Sequence, residues 1–269
     1  PASKSSMEKR YMSVCTVSQS FLPYMGGLAK YVNALGKKFV RDGHEFRVVH
    51  FKTPEIGAID FASGIPLMRT NVEGLGESAV SGYMRFKEHL LNATHLSGEV
   101  PESPQAVPEF ADYMGVNAKI ADYVLDTYDY RQFDILHIHD FQLLPLAGML
   151  GRLKTPKVFT FHIPFTMQIP LPWREFIAGC LGQYDLAVVS TEEYAQAAIA
   201  SGVPKEKIAR IWPFIDQGEY SFEGQNDARE KLGIGREDFL ILCVSRMDPR
   251  KGQEMLVRAM EKVAKGFPR

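Results

Sequence analysis

The sequence predicts an α/β protein built on a parallel sheet. Short apolar runs rich in β-branched and aromatic residues recur at Tyr11–Val17, Phe46–Phe51, Ile135–Ile138, Lys157–Phe161 and Leu186–Ser190. Stretches of helical spacing separate most of them. Residues 133–165 then give strand, helix and strand in one segment, the pattern of a right-handed parallel crossover. In such a unit the carboxyl ends of both strands share one sheet edge, where ligands of open α/β sheets bind. Asp140 closes the first strand and His162 the second. One segment therefore aims an acid and an imidazole into one crevice.

The elements follow in order. Tyr11–Val17 is a buried strand. The loop Phe21–Gly27 follows it, and Leu28 opens a helix with apolar residues at Leu28, Tyr31, Val32, Leu35, Phe39 and Val40. Gly43 caps that helix, and Phe46–Phe51 is the next strand. Strand, glycine loop and helix make a phosphate- or sugar-binding opening. Gly26 and Gly27 would let backbone approach a ligand closely and leave amides free at the helix start. The pair is not GxGxxG, so it does not specify a dinucleotide, and a dehydrogenase is disfavoured. A tight turn with no ligand is the plainer reading.

Residues 54–108 are the least legible. Ile65–Arg69 reads as a strand that Pro66 would confine to an edge, Ser81–Leu91 as a helix and Ser97–Pro108 as a loop. Phe110–Tyr128 has helical spacing. A helix is expected over Gln142–Leu153 and another over Leu171–Gln183. Thr191 caps a helix over Glu192–Ala200, and Ile208–Trp212 is a short strand. Pro213–Gln225 carries proline, glycine and scattered charge and reads as the crossing between domains, placed at 1–213 and 214–269. Beyond it come a helix at Asp227–Leu232, a buried strand at Phe239–Val244, the polar loop Ser245–Gly252 and an amphipathic helix at Gln253–Lys265. That is the beginning of a second Rossmann-like sheet, and about fifty residues are at the floor of domain size. A fragment, or a protein whose remainder is a separate chain, is the expectation.

Composition narrows the function. The 269 residues are 45% hydrophobic and 23% charged, with a formal net charge of -1. Such a balance gives no electrostatic argument for nucleic acid or an anionic membrane. No apolar run is long enough to span a bilayer, and the polar N-terminus lacks a signal-peptide core. Cys15, Cys180 and Cys243 are far apart and show no metal or disulfide spacing, so a reducing cytoplasm is expected. A homo-oligomer is left open.

The motifs now carry a resemblance. FLPYMGGLAKYVNALGKKFVRDGHEFRVV looks like the opening loop and first helix of the glycogen-synthase-like and sucrose-synthase-like group of retaining GT-B glycosyltransferases. HIHDFQLLPL, FHIPF and LPWREFIAGCLGQYDL resemble trehalose-6-phosphate synthases, and VSRMDPRKG resembles the donor-phosphate loop of both groups. A trehalose synthase using free glucose fits as well as one using glucose 6-phosphate. The resemblance implies glucose transfer from a nucleotide-sugar such as UDP-glucose or ADP-glucose to a sugar or sugar-phosphate acceptor, with no metal and no other cofactor. A phosphate-using enzyme like trehalose phosphorylase, or a sugar-binding fragment inactive alone, are the alternatives.

The resemblance also implies roles. Arg246 and Lys251 would bind the donor diphosphate, whose charge grows as it leaves; the plain alternative is a solvated basic loop. Gly26 and Gly27 would contact the donor. His162 would sit near the transferred sugar, or be a satisfied histidine at a strand end. Asp140 would bind the acceptor hydroxyl or a residue that positions it, or simply cap the following helix. Trp173 and Arg174 read as acceptor-side or packing residues. His137 and His139 share a strand face; His137 reads as structural, and His139 is given no role. Asp140 is the one carboxylate in these motifs suited to covalent catalysis, but front-face attack is preferred. The family's paired-glutamate segment would lie beyond Arg269.

Overall fold

The structure is a computed structural model and describes residues 11–22, 26–51, 61–62, 65–70, 76–130, 132–220 and 224–267. The polar N-terminus, residues 23–25 of the glycine loop, and residues 52–60, 63–64 and 71–75 lie outside the described residues, as do 221–223 of the expected crossing and the last two residues. The chain divides into two compact units, Pro1–Ile215 and Asp216–Arg269.

The first unit is a sheet of eight strands: β1 (Ser13–Ser18), β2 (Glu45–Phe51), β3 (Phe61–Ala62), β4 (Ile65–Thr70), β5 (Ile135–His139), β6 (Lys157–Thr160), β7 (Leu186–Val189) and β8 (Ile208–Arg210). Their order is β3-β4-β2-β1-β5-β6-β7-β8. Every pairing is parallel except the short β3 against β4. The chain runs outward from β1 through β2 to β4, returns to β1's other side with β5, and runs outward again to β8. The strand order therefore reverses between β1 and β5, a topological switch point.

Helices α1 (Gly27–Arg41), α2 (Gly76–His95), α3 (Phe110–Tyr130), α4 (Leu146–Met149), α5 (Leu171–Leu181) and α6 (Glu192–Ala200) accompany this sheet. The strand period of two sorts its residues into two cores. Val14, Phe46, Val48 and Ile65 cluster with Val32 of α1. Cys15, Val17, Val49, Leu136 and Ile138 join the larger core with Phe86, Tyr113 and Trp173. Helix α1 lies close because Gly36 has no side chain: a Cβ there would meet Ile65 at 2.6 Å and the Phe46 ring at 2.7 Å. At the helix end Gly43 takes φ 85° and His44 N–H reaches the Phe39 carbonyl, the expected glycine stop. Thr191 caps α6 by accepting from Tyr194 N–H.

Three expectations change. Pro66 does not make β4 an edge strand, since β4 pairs on both sides. Its pairing with β2 begins at Leu67, so the missing proline N–H interrupts nothing there. The expected helix over 142–153 is broken into a 3-10 turn, Phe141–Leu143, and the single-turn α4. Pro145 lacks the N–H that a continuous helix would spend on the Phe141 carbonyl. Side chains from α2, α3 and the segment after α5 take the carbonyls that are freed.

In the second unit, helices α7 (Gln225–Lys231) and α8 (Gln253–Gly266) form as expected. Residues 239–244 are apolar but form no strand, and Phe239 is 94% exposed. A strand needs a neighbour to receive its hydrogen bonds, and no other segment described within 216–269 is extended beside it.

Candidate functional site

At the switch point the register sets Ser18 of β1 beside His139 of β5, and His139 beside Thr160 of β6. The residues that follow these strand ends form the site. Asp140 ties two of them together: its N–H donates to the Thr160 carbonyl at 2.9 Å, and its Oδ1 accepts from His162 N–H at 3.1 Å. The sequence-predicted acid and imidazole are thus brought together, through the histidine's backbone. Asp140 has φ 71° and ψ 169°, a region occupied almost solely by glycine. It makes no side-chain cap for the following turn. Burial pushes its carboxyl up to about 6, against the His162 and Phe141 amides, the Gln142 side chain and the Lys87 charge, which favour ionisation.

A strained residue stays strained only where its surroundings over-determine it. Here they do. Tyr113 O–H donates to the Phe141 carbonyl at 2.6 Å. Tyr83 O–H and Asn117 Nδ2 both donate to the Gln142 carbonyl at 3.2 Å. Tyr184 O–H reaches the Leu143 and Leu144 carbonyls at 3.2 and 3.1 Å. Four buried side chains from α2, α3 and the segment after α5 therefore satisfy the carbonyls that the broken helix leaves open.

Lys87 was not singled out by the sequence. It is buried on α2, with its ammonium 2.8 Å from Gln19 Oε1 and 4.7 Å above the Tyr83 ring. Burial lowers it to about 7, while attraction to Asp140 and Glu88 opposes that shift. One signal existed: Tyr83, Phe86, Lys87 and Leu90 keep helical spacing, so the lysine stands in an apolar stripe. Gln19, just past the end of β1, was missed as well.

Three imidazoles line the same edge. His137 and His139 have ring centroids 4.0 Å apart, and His139 Nδ1 lies 3.1 Å from His162 Nε2. His137 Nε2 is 2.8 Å from Thr160 Oγ1. Burial, with mutual repulsion for the inner two, holds all three neutral: His137 falls to about 3, His162 to about 4, and His139 well below its usual value. Tyr31 of α1 sets its ring edge-on to His162 at 4.6 Å and packs on Phe214 at 4.4 Å.

The remaining predicted residues fall in different places. Gly26 precedes α1 and Gly27 opens it, and a Cβ on either would meet nothing within 4 Å. Trp173 is fully buried; its indole N–H donates to the Pro101 carbonyl at 2.7 Å and its ring stacks on Phe86. Of the acceptor-side and packing roles left open by the sequence, the structure shows the ring packed in the core. Arg174 bonds the Met167 and Ile169 carbonyls and so braces the loop after His162. In the second unit, Arg246 and Lys251 lie on one polar loop, in which Asp248 holds Arg250 at 3.0 Å and Arg246 at 3.8 Å. The side chain of Arg246 is 77% exposed. No group of three or more metal-ligating side chains gathers among the described residues. No described helix is long and apolar enough to cross a membrane.

The model of the family described as Glycosyltransferase Family 4 matches residues 25–219. An uncharacterized glycosyltransferase of Methanocaldococcus jannaschii is 23% identical over 279 residues, covering 94% of this chain and 60% of its own. Trehalose-6-phosphate synthase of Enterobacter sp. (strain 638) is 28% identical over 182 residues, covering 58% of this chain and 38% of its own. The solved structure of a trehalose-6-phosphate synthase, OtsA, superposes with a TM-score of 0.73 at 20% identity, covering 95% of this chain and 62% of that one. The shared fold is the expected GT-B type. The chain spans less than two thirds of the length of these relatives.

Proposed function

Because the chain belongs to Glycosyltransferase Family 4, we propose that it takes part in transferring glucose from a nucleotide-sugar to a sugar or sugar-phosphate acceptor, with retention, in a trehalose-forming reaction. The observation that carries this is the buried Asp140 carboxylate, strained and bonded to the His162 amide, at the switch point of the sheet. A binding crevice belongs at that point, and strain kept at a ligand edge marks function.

In this reading the bond from the anomeric carbon to the donor phosphate breaks, and the acceptor oxygen bonds to the same face of that carbon. The acceptor proton passes to the leaving phosphate. Asp140 accepts a hydrogen bond from the acceptor hydroxyl and places it. One of its oxygens already serves His162 N–H, which suits an orienting carboxylate better than a nucleophile. His162 contacts the transferred sugar. Gly26 and Gly27 offer the donor uncluttered backbone, since beyond their chain neighbours no atom among the described residues stands within 4 Å of their missing side chains. Arg246 and Lys251 supply positive charge for the diphosphate as its own charge grows. The donor is UDP-glucose or ADP-glucose, and the acceptor is glucose or glucose 6-phosphate.

The test is product analysis on the full-length protein with each donor and acceptor pair. Trehalose or its phosphate, formed in step with nucleoside diphosphate, is the expected result. Turnover of trehalose with inorganic phosphate, and none with any nucleotide-sugar, would replace this reading by a phosphorylase.

A further inference from the structure

We propose that His139 is a positioning residue that holds the single proton of the His162 ring on Nδ1. His139 Nδ1 and His162 Nε2 are 3.1 Å apart, so one of the two nitrogens donates and the other accepts. A neutral imidazole carries one N–H and one lone pair. If His162 donated from Nε2, the proton of His139 would have to sit on its own Nε2. That atom is buried and has no hydrogen-bond partner among the described residues. An N–H left there costs about 1–3 kcal/mol, and a buried donor without a partner is a rarer orphan than a bare acceptor. The reverse arrangement leaves only a lone pair at His139 Nε2. Hence His139 donates from Nδ1, His162 accepts at Nε2, and the remaining proton of His162 lies on Nδ1. The burial that keeps both rings neutral supports this count of protons.

His139 is well placed to impose the choice. It has no solvent exposure, stacks on the His162 ring at 5.4 Å, packs against His137 at 4.0 Å, and meets the Tyr31 ring at 5.9 Å. His137 is in turn tied to Thr160. His162 is fixed from its other side by the bond from its amide to Asp140. Isolated neutral histidine side chains favour the proton on Nε2, so the arrangement inverts the ordinary preference. It leaves Nδ1–H as the donor of His162 that a ligand can use. In the transferase reading, on which this last step alone rests, that N–H donates to an oxygen of the transferred sugar.

The experiment is a long-range proton–nitrogen spectrum of the full chain labelled with 15N-histidine, with His162 assigned by its loss in His162→Gln. Wild type should show His162 protonated at Nδ1 and bare at Nε2. His139→Phe keeps a ring in the stack but removes the donor, and His162 should revert to Nε2–H. His139→Asn, whose amide group can donate in place of Nδ1, should restore Nδ1–H. The inference is overturned by Nε2–H at His162 in wild type, or by Nδ1–H persisting in folded His139→Phe. If His139→Phe does not fold, the wild-type and His139→Asn spectra still decide. A wild-type protein with Nδ1–H but no sugar transfer would remove the transferase reading and leave the role of His139 standing.

Discussion

At the switch point Asp140 is 5% exposed, and four buried side chains bond the turn that follows it. In the loop of the second unit the Arg246 side chain is 77% exposed and pairs locally with Asp248 at 3.8 Å. Both places present charge, yet one is shaped by distant parts of the chain and the other by its own few residues. In the proposed reaction the difference separates two tasks. Placing a hydroxyl against a reacting carbon needs fixed geometry, and fixed geometry takes buried partners. Neutralising a diphosphate needs charge and reach, which an exposed arginine and lysine have without a rigid frame.

The contrast is sharpened most by Arg246→Ala. Turnover in the full-length protein should fall by about 10²–10³ if the guanidinium stabilises charge at the transition state, while the melting temperature stays put because the side chain is exposed. Unchanged turnover would return the loop to plain solvated surface. Gly27→Val is next. No atom among the described residues opposes the new side chain, so the fold should survive, and the donor KM should rise by about tenfold or more, equivalent to ~1.4 kcal/mol. An unaltered KM would make the glycine pair a simple turn.

At the switch point, Tyr113→Phe leaves the Phe141 carbonyl without its buried donor. A stability loss of about 1–3 kcal/mol in urea titration is expected, with turnover lowered in what remains folded. No loss would mean that the turn after Asp140 holds without that clamp. The last effect is a pH dependence, confined to a window of about two pH units. The folded Asp140 carboxyl is raised from 3.8 to about 6. Its contribution is favourable while protonated, below 3.8, and is lost as pH rises through 6. Asp140→Asn should therefore be more stable than wild type at pH 8, by up to ~3 kcal/mol, and the margin should vanish by pH 4. A margin independent of pH would show that the carboxylate is not penalised by burial.

Much of this sheet edge was legible in sequence because it rests on short-range pattern. The apolar runs before Asp140 and His162 and the helical stretch between them fix a parallel crossover, and the crossover puts both residues on one edge. What could not be read was set by tertiary structure. The φ of Asp140 belongs to a backbone strained by its neighbours. The broken helix after it depends on carbonyls bonded by Tyr83, Tyr113, Asn117 and Tyr184, which stand up to 59 residues away in sequence. Lys87 announced itself only as a charge within an apolar stripe. Residues 239–244 read as a strand by composition, but strand formation also requires a partner.

The comparison rests on Asp140 being kept strained and buried for its chemistry, and Asp140→Gly measures both sides of that claim. Glycine relieves the backbone conformation, worth on the order of 1–3 kcal/mol, and removes the buried carboxyl. Urea unfolding of this variant at pH 8, beside its glucosyl transfer in the full-length protein, should show a more stable fold with transfer lost. A less stable fold, or transfer that persists, would contradict it.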